Sequence, residues 1–103
     1  MVLRVTADQV ARLEGEIDEM NAQLEPLTSF ILPGGAPAAA AVMLARAVVR
    51  RAERMAVAAA AETSLNPQAL AYINRLSDHL FVMARAINAN ESGEILWKPG
   101  ATR

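Results

Sequence analysis

The 103-residue chain has no cysteine, which excludes disulfides, thiolate metal sites and thiol nucleophiles together. Its single histidine, His79, leaves no histidine cluster for zinc. No charged N-terminal region followed by an apolar stretch opens the chain. No apolar run approaches the roughly 20 residues that a membrane-spanning helix needs. These absences predict a cytoplasmic protein with no membrane partner. They also make metalloenzyme and cysteine-hydrolase readings poor. No internal repeat and no strand pattern is present.

The length allows one domain, which buries only roughly 65% of its unfolded surface. A net charge of -1 argues against general nucleic-acid binding. That charge is unevenly spread. Residues 1–36 carry six acids against Arg4 and Arg12, whereas residues 37–61 carry Arg46, Arg50, Arg51 and Arg54 against Glu53 alone. The second segment is a basic patch made only of arginine, whose planar fork suits phosphate oxygens.

The spacing predicts three helices. Thr6 with Gln9 three residues on forms a capping box, and Val10, Leu13, Ile17, Met20 and Leu24 then make one apolar stripe up to Pro26. The segment PLTSFILPGGAP reads as a shaped loop, with room for a short extended piece from Ser29 to Leu32. Pro37 suits a first helical position, and the alanine-rich run to about Ala61 favours helix. Asn66 and Pro67 start a third helix that ends between Asn88 and Gly93, with Ile73, Leu76, Leu80, Met83 and Ile87 as its stripe. The remainder is a tail carrying Trp97. The expected class is therefore all-α, an antiparallel helical bundle of about three helices, with apolar surface left for oligomerisation to cover.

At about 100° per residue, Arg46, Arg50, Glu53 and Arg54 share one face of the second helix while Arg51 points elsewhere. On the third helix, Asn74, Asp78 and Arg85 fall opposite the apolar stripe, with Arg75 at the edge. If these faces meet, arginine forks, an amide and carboxylates surround one volume suited to a polyphosphate. The alternative is two solvated faces with intrahelical pairs, Arg50 with Glu53 and Arg75 with Asp78. His79 reads as a packing or surface residue rather than a proton shuttle. The LPGG segment, Leu32 to Gly35, is an ordinary connector or an anion-facing turn. Phe30 and Phe81 read first as core residues.

In order, LEGEIDEMN, PLTSFILPGG, LARAVVRRAER, NPQALAYINRLSDHLFVMARAIN and LWKPG resemble the PduO-type ATP:cob(I)alamin (corrinoid) adenosyltransferases, from about Val5 to Gly100. The resemblance implies a five-helix, ferritin-like bundle assembled as a trimer, with ATP and corrinoid bound between subunits. It implies transfer of the 5'-deoxyadenosyl group of ATP, accompanied by Mg2+, to Co(I) of cob(I)alamin, giving adenosylcobalamin and triphosphate. No protein nucleophile or general base is needed, because the cofactor carries the hard step.

By the same resemblance, Arg50, Arg51, Glu53, Arg54 and Asn74 bind ATP, and Arg46 stabilises the site and the subunit interface. Phe30 lies against the corrin, with Phe81 in the same apolar wall, and Arg75 and Asp78 form a structural ion pair. Two departures stand out. Met43 occupies a position where many relatives have histidine. The chain also resembles the C-terminal portion of the family domain, so residues 1–103 are expected to form a partial domain lacking the N-terminal phosphate-binding segment and first helices. The other reading is an inactive helical module that binds corrinoid or assembles with a full-length partner.

Overall fold

The computed structural model describes residues 4–24 and 36–90. The expectations for Ser29 to Leu32, for Phe30, for the LPGG segment and for the Trp97 tail lie outside these residues. Within them the chain forms three helices and no strand: α1 (Ala7–Asn21), α2 (Pro37–Ala60) and α3 (Pro67–Asn90).

The starts of α1 and α3 are capped locally. Thr6 and Gln9 form the expected reciprocal capping box on α1, with the Thr6 amide donating to Gln9 Oε1 at 3.0 Å. Asn66 Oδ1 accepts the Gln68 amide at 3.0 Å, capping α3 behind Pro67. Its Nδ2 also donates to the Val5 carbonyl at 3.0 Å, tying the entrance of α1 to that of α3. Helix α2 has Pro37 in its first turn and no side-chain cap from Ala36. Instead the buried Ala36 amide donates to Asn88 Oδ1, at 2.8 Å, from the far end of α3. Helix α1 ends at Asn21, earlier than the stripe to Leu24 suggested, and residues 22–24 leave it through turns.

Helices α1 and α2 each pack on α3 and not on one another. The ties Ala36–Asn88, Arg46–Phe81 and Glu53–Asn74 make α2 antiparallel to α3. The ties Val5–Asn66, Glu14–Arg75 and Glu16–His79 make α1 parallel to α3, so the chain runs up, down and up. Ala36, Ala39, Met43 and Ala84 form the buried centre of the α2–α3 contact, with Val42, Phe81 and Ile87 against it. The small alanines let the two backbones approach. Met43 fills the space as an apolar core residue.

Because α3 has two neighbours, its buried arc is wider than one stripe. Ile73, Leu76, Leu80, Met83 and Ile87 are all only half-buried. On a helical projection they fall between the face carrying Asn74, Phe81 and Asn88 and the face carrying Arg75 and His79. The expected shared solvated face of Asn74, Asp78 and Arg85 is not found. Asp78 is exposed, Asn74 turns toward α2, and Arg85 is buried, with 5% of its surface accessible.

Candidate functional site

Asn74 and Glu53 join the two polar segments. Asn74 Nδ2 donates to Glu53 Oε2 at 2.9 Å, across the α2–α3 contact, in a partly buried setting. The faces carrying RRAER and NRLSD therefore meet at these two residues. Glu53 pairs with Asn74 and not with Arg50. Arg75 likewise pairs away from Asp78: its Nε donates to Glu14 Oε2 at 2.9 Å and its Nη1 to Asn74 Oδ1 at 2.8 Å. Both expected intrahelical ion pairs are thus replaced by contacts between helices or along the Asn74 edge. For Arg75 the acceptor comes from α1, as Glu14, while Glu53 is taken by Asn74 and Arg50 is left unpaired among the described residues.

Two turns before Glu53, Arg46 is half-buried, with its guanidinium carbon 4.7 Å from the centroid of the Phe81 ring. Its Nε is buried without a hydrogen-bond partner. Burial first, and then the neighbouring Arg50 cation, push the Arg46 guanidinium below the ordinary arginine value, while Asp78 pulls it back. Phe81 packs into the α2–α3 core on one side and supports this cation on the other. That ring face is occupied within the chain.

Arg50, Arg51 and Arg54 are exposed and make no hydrogen bond or ion pair among the described residues. Arg50 and Arg54 lie on the α2 edge next to Arg46 and Glu53, and Arg51 lies on the outer side of α2, away from α3. The arrangement is a row of unneutralised guanidinium groups beside an amide and carboxylate held at hydrogen-bonding distance. Such a row fits a polyanion with polar groups attached. Among the described residues no group of three or more His, Cys, Asp or Glu side chains could hold a metal ion.

On the opposite flank, His79 is buried at 9% exposure and its Nε2 donates to Glu16 Oε1 at 2.9 Å, leaving Nδ1 buried without a partner. Arg12 Nε also donates to Glu16, at 3.2 Å. The His79 contact first, and then Arg12, hold the Glu16 carboxyl below its usual value. With Tyr72, Gln9, Leu13 and Val5 these side chains line a surface cavity of about 420 Å³. His79 is therefore a packing residue with an acidic partner. Sequence reasoning missed Glu14 and Glu16 as partners, and their spacing of two residues within the acidic first helix gave no sign of their targets.

A family model described as cobalamin adenosyltransferase matches residues 1–87. The chain belongs to the cobalamin adenosyltransferase family. Similar relatives include the corrinoid adenosyltransferase of Mycobacterium tuberculosis strain H37Rv, 48% identical over 106 residues, covering 98% of this chain and 52% of the relative. The corrinoid adenosyltransferase PduO of Salmonella typhimurium is 45% identical over 82 residues, covering 80% of this chain and 24% of its own length. Among solved structures, a variant PduO-type ATP:corrinoid adenosyltransferase from Lactobacillus reuteri complexed with cobalamin and ATP superposes with a TM-score of 0.85 at 35% identity, over 94% of this chain and 54% of that one. A second variant of it, complexed with ATP, gives a TM-score of 0.86 at 35% identity, over 94% and 55%. The chain thus spans about half the length of the M. tuberculosis relative and of these structures. The all-α bundle is that of the PduO-type enzymes over the matched part.

Proposed function

We propose that the chain acts in corrinoid adenosylation, transferring the 5'-deoxyadenosyl group of ATP to Co(I) of a corrinoid to give adenosylcobalamin and triphosphate. The observation that carries this reading is the Asn74–Glu53 hydrogen bond beside the unpaired Arg50 and Arg54. The electron pair of Co(I) forms the bond to C5', and the C5'–O bond breaks with its pair leaving on triphosphate. No proton moves at that step, so the chain's task is binding and orientation. Arg50 and Arg54 bind phosphate oxygens and spread the negative charge of the leaving group. Asn74 and Glu53 hold the nucleoside. Arg46, backed by Phe81, fixes the end of the row. Phe30 is assigned to the corrinoid, with Phe81 in the same apolar wall.

Arg51 faces away from its own Asn74, and its part is to reach the nucleotide of a neighbouring copy in a trimer. The exposed Leu44, Val48 and Met55 on the same side of α2 support that association. A cytoplasmic location suits a reaction that consumes ATP and a reduced metal centre. No helix among the described residues is long and apolar enough to cross a membrane.

The test is anaerobic adenosylcobalamin formation by the purified chain with ATP and chemically reduced cobalamin, followed by the visible spectrum, together with ATP titrations. Arg50→Ala and Asn74→Ala are each expected to weaken ATP binding by about tenfold or more, the cost of a lost charge-assisted contact. Unchanged ATP binding in both variants would overturn the reading.

A further inference from the structure

We infer that Arg75 and Glu14 are positioning residues that set the orientation of the Asn74 amide, so that the docking of α1 prepares a ligand contact made on the far side of α3. The inference rests on the reading of Asn74 as a nucleotide-binding residue. An asparagine side chain has two N–H donors and two acceptor lone pairs. In Asn74 one donor is committed to Glu53 Oε2 at 2.9 Å and one lone pair to Arg75 Nη1 at 2.8 Å. Turning the amide over would set its carbonyl oxygen against the Glu53 carboxylate and its NH2 against the guanidinium. Both contacts would then be repulsive. The amide therefore has one orientation, with one N–H and one lone pair left for a ligand group that both accepts and donates, such as a nucleoside hydroxyl or base edge.

Arg75 imposes this order only while its fork is held. Glu14 Oε2 takes the Nε hydrogen at 2.9 Å, which fixes the guanidinium plane and aims Nη1 at Asn74. The Glu14–Arg75 pair is too open to matter much as a staple. The two side chains retain 35% (Arg75) and 49% (Glu14) of their exposure, where ion pairs add little to stability. Its consequence lies in orientation. The route Glu14–Arg75–Asn74–Glu53 crosses all three helices in three hydrogen bonds of 2.8 to 2.9 Å. Loss of Glu14 frees the fork and removes one of the two contacts that hold the Asn74 amide in the orientation that serves the ligand, leaving Glu53 as the other.

The experiment is a double-mutant cycle on the full chain, with ATP as the titrant in calorimetry and the Asn74 side-chain amide followed by 15N NMR. Glu14→Ala and Arg75→Ala are each expected to weaken ATP binding about five- to tenfold, the worth of one ordinary hydrogen bond, and to shift the Asn74 amide signals. Glu14→Gln keeps the shape and an acceptor oxygen. It is expected to retain most of the affinity, and it serves as the informative variant if Glu14→Ala does not fold. In an Asn74→Ala background Glu14→Ala is expected to have no further effect on ATP. An equal loss in both backgrounds, or no loss from Glu14→Ala while Asn74→Ala weakens ATP, overturns the positioning role and leaves Asn74 as a ligand residue. Asn74→Ala indistinguishable from the wild-type chain toward ATP takes down the reading of Asn74 and the inference with it.

Discussion

The guanidinium carbon of Arg46 lies 4.7 Å above the Phe81 ring, so a cation of α2 rests on an aromatic ring of α3 that is itself packed against the alanine core. An aromatic ring covers one side of the cation, and its Nε has no partner. Such a group costs folding free energy to desolvate, and the ring returns part of that cost.

Phe81→Ala is expected to lower stability by about 2 kcal/mol, since the ring is half-buried, and Phe81→Leu by about 1 kcal/mol, since it keeps most of the volume and loses the cation contact. Arg46→Met, by contrast, is expected to change stability by less than about 1 kcal/mol while weakening ATP binding, because it removes a poorly satisfied buried cation. Urea unfolding midpoints read the first quantity and ATP titration the second. A large loss of stability in Arg46→Met would mean that the arginine is a structural anchor instead.

Asn88 offers a second case of function by distance in sequence. It closes the start of α2 from the end of α3, 52 residues away, where Ala36 has no side chain to do so. Asn88→Leu leaves the buried Ala36 amide without an acceptor and is expected to cost about 1–3 kcal/mol, whereas Asn88→Gln, which keeps the amide, costs less if its longer reach is accommodated. Amide hydrogen exchange at Ala36 and the first turn of α2 separates this from a general loss, since fraying is expected there first. Uniform loss of protection over all three helices would speak against a capping role.

The three helices were legible because their starts are local events. A threonine three residues before a glutamine, a proline at the first turn and an Asn-Pro step each act within a few residues. Packing was less legible. Helix α3 was read as having one apolar face and one solvated face, but it has neighbours on two sides, so Ser77, Arg85 and Asn88 are buried while Leu76 and Leu80 are half-exposed. No periodicity reports how many neighbours a helix has. The same limit applies to the candidate site. Arg50, Glu53 and Asn74 were found from residue type and spacing, yet Glu14 was not, because its partner Arg75 is 61 positions away and an acidic residue on an exposed helix face is commonplace.

Glu16 gives the acid response of the α1–α3 contact a definite sign. Hydrogen bonds from His79 and Arg12 hold its carboxyl below the ordinary 4.5 in the folded chain. A depressed carboxyl contributes stability that is present above its unfolded value and is lost as the pH falls through the folded one. Unfolding midpoints measured from neutral pH down to about pH 3 should therefore show a decline that Glu16→Gln reduces, with the two proteins converging in acid. A gap between them that stays constant over the whole range would mean that Glu16 acts by shape and not by charge.

The outer face of α2 carries the last prediction. Leu44, Val48 and Met55 are 68%, 61% and 63% exposed, and the 3.6-residue period sets them with Arg51 on the side facing away from α3. Among the described residues nothing covers them, so their replacement should leave the fold within about 0.5 kcal/mol of its stability. In the proposed trimer they form an apolar seam with a cation in it. The expected outcome for Leu44→Glu combined with Met55→Glu is a monomer by sedimentation, with unchanged helical circular dichroism, and weaker ATP binding. The loss of ATP binding follows from the role proposed for Arg51, which faces away from its own Asn74 and in that proposal serves the nucleotide of a neighbouring copy. If the variant becomes monomeric and still binds ATP like the wild-type chain, Arg51 has no part in the site. If it keeps its association state, another face joins the copies.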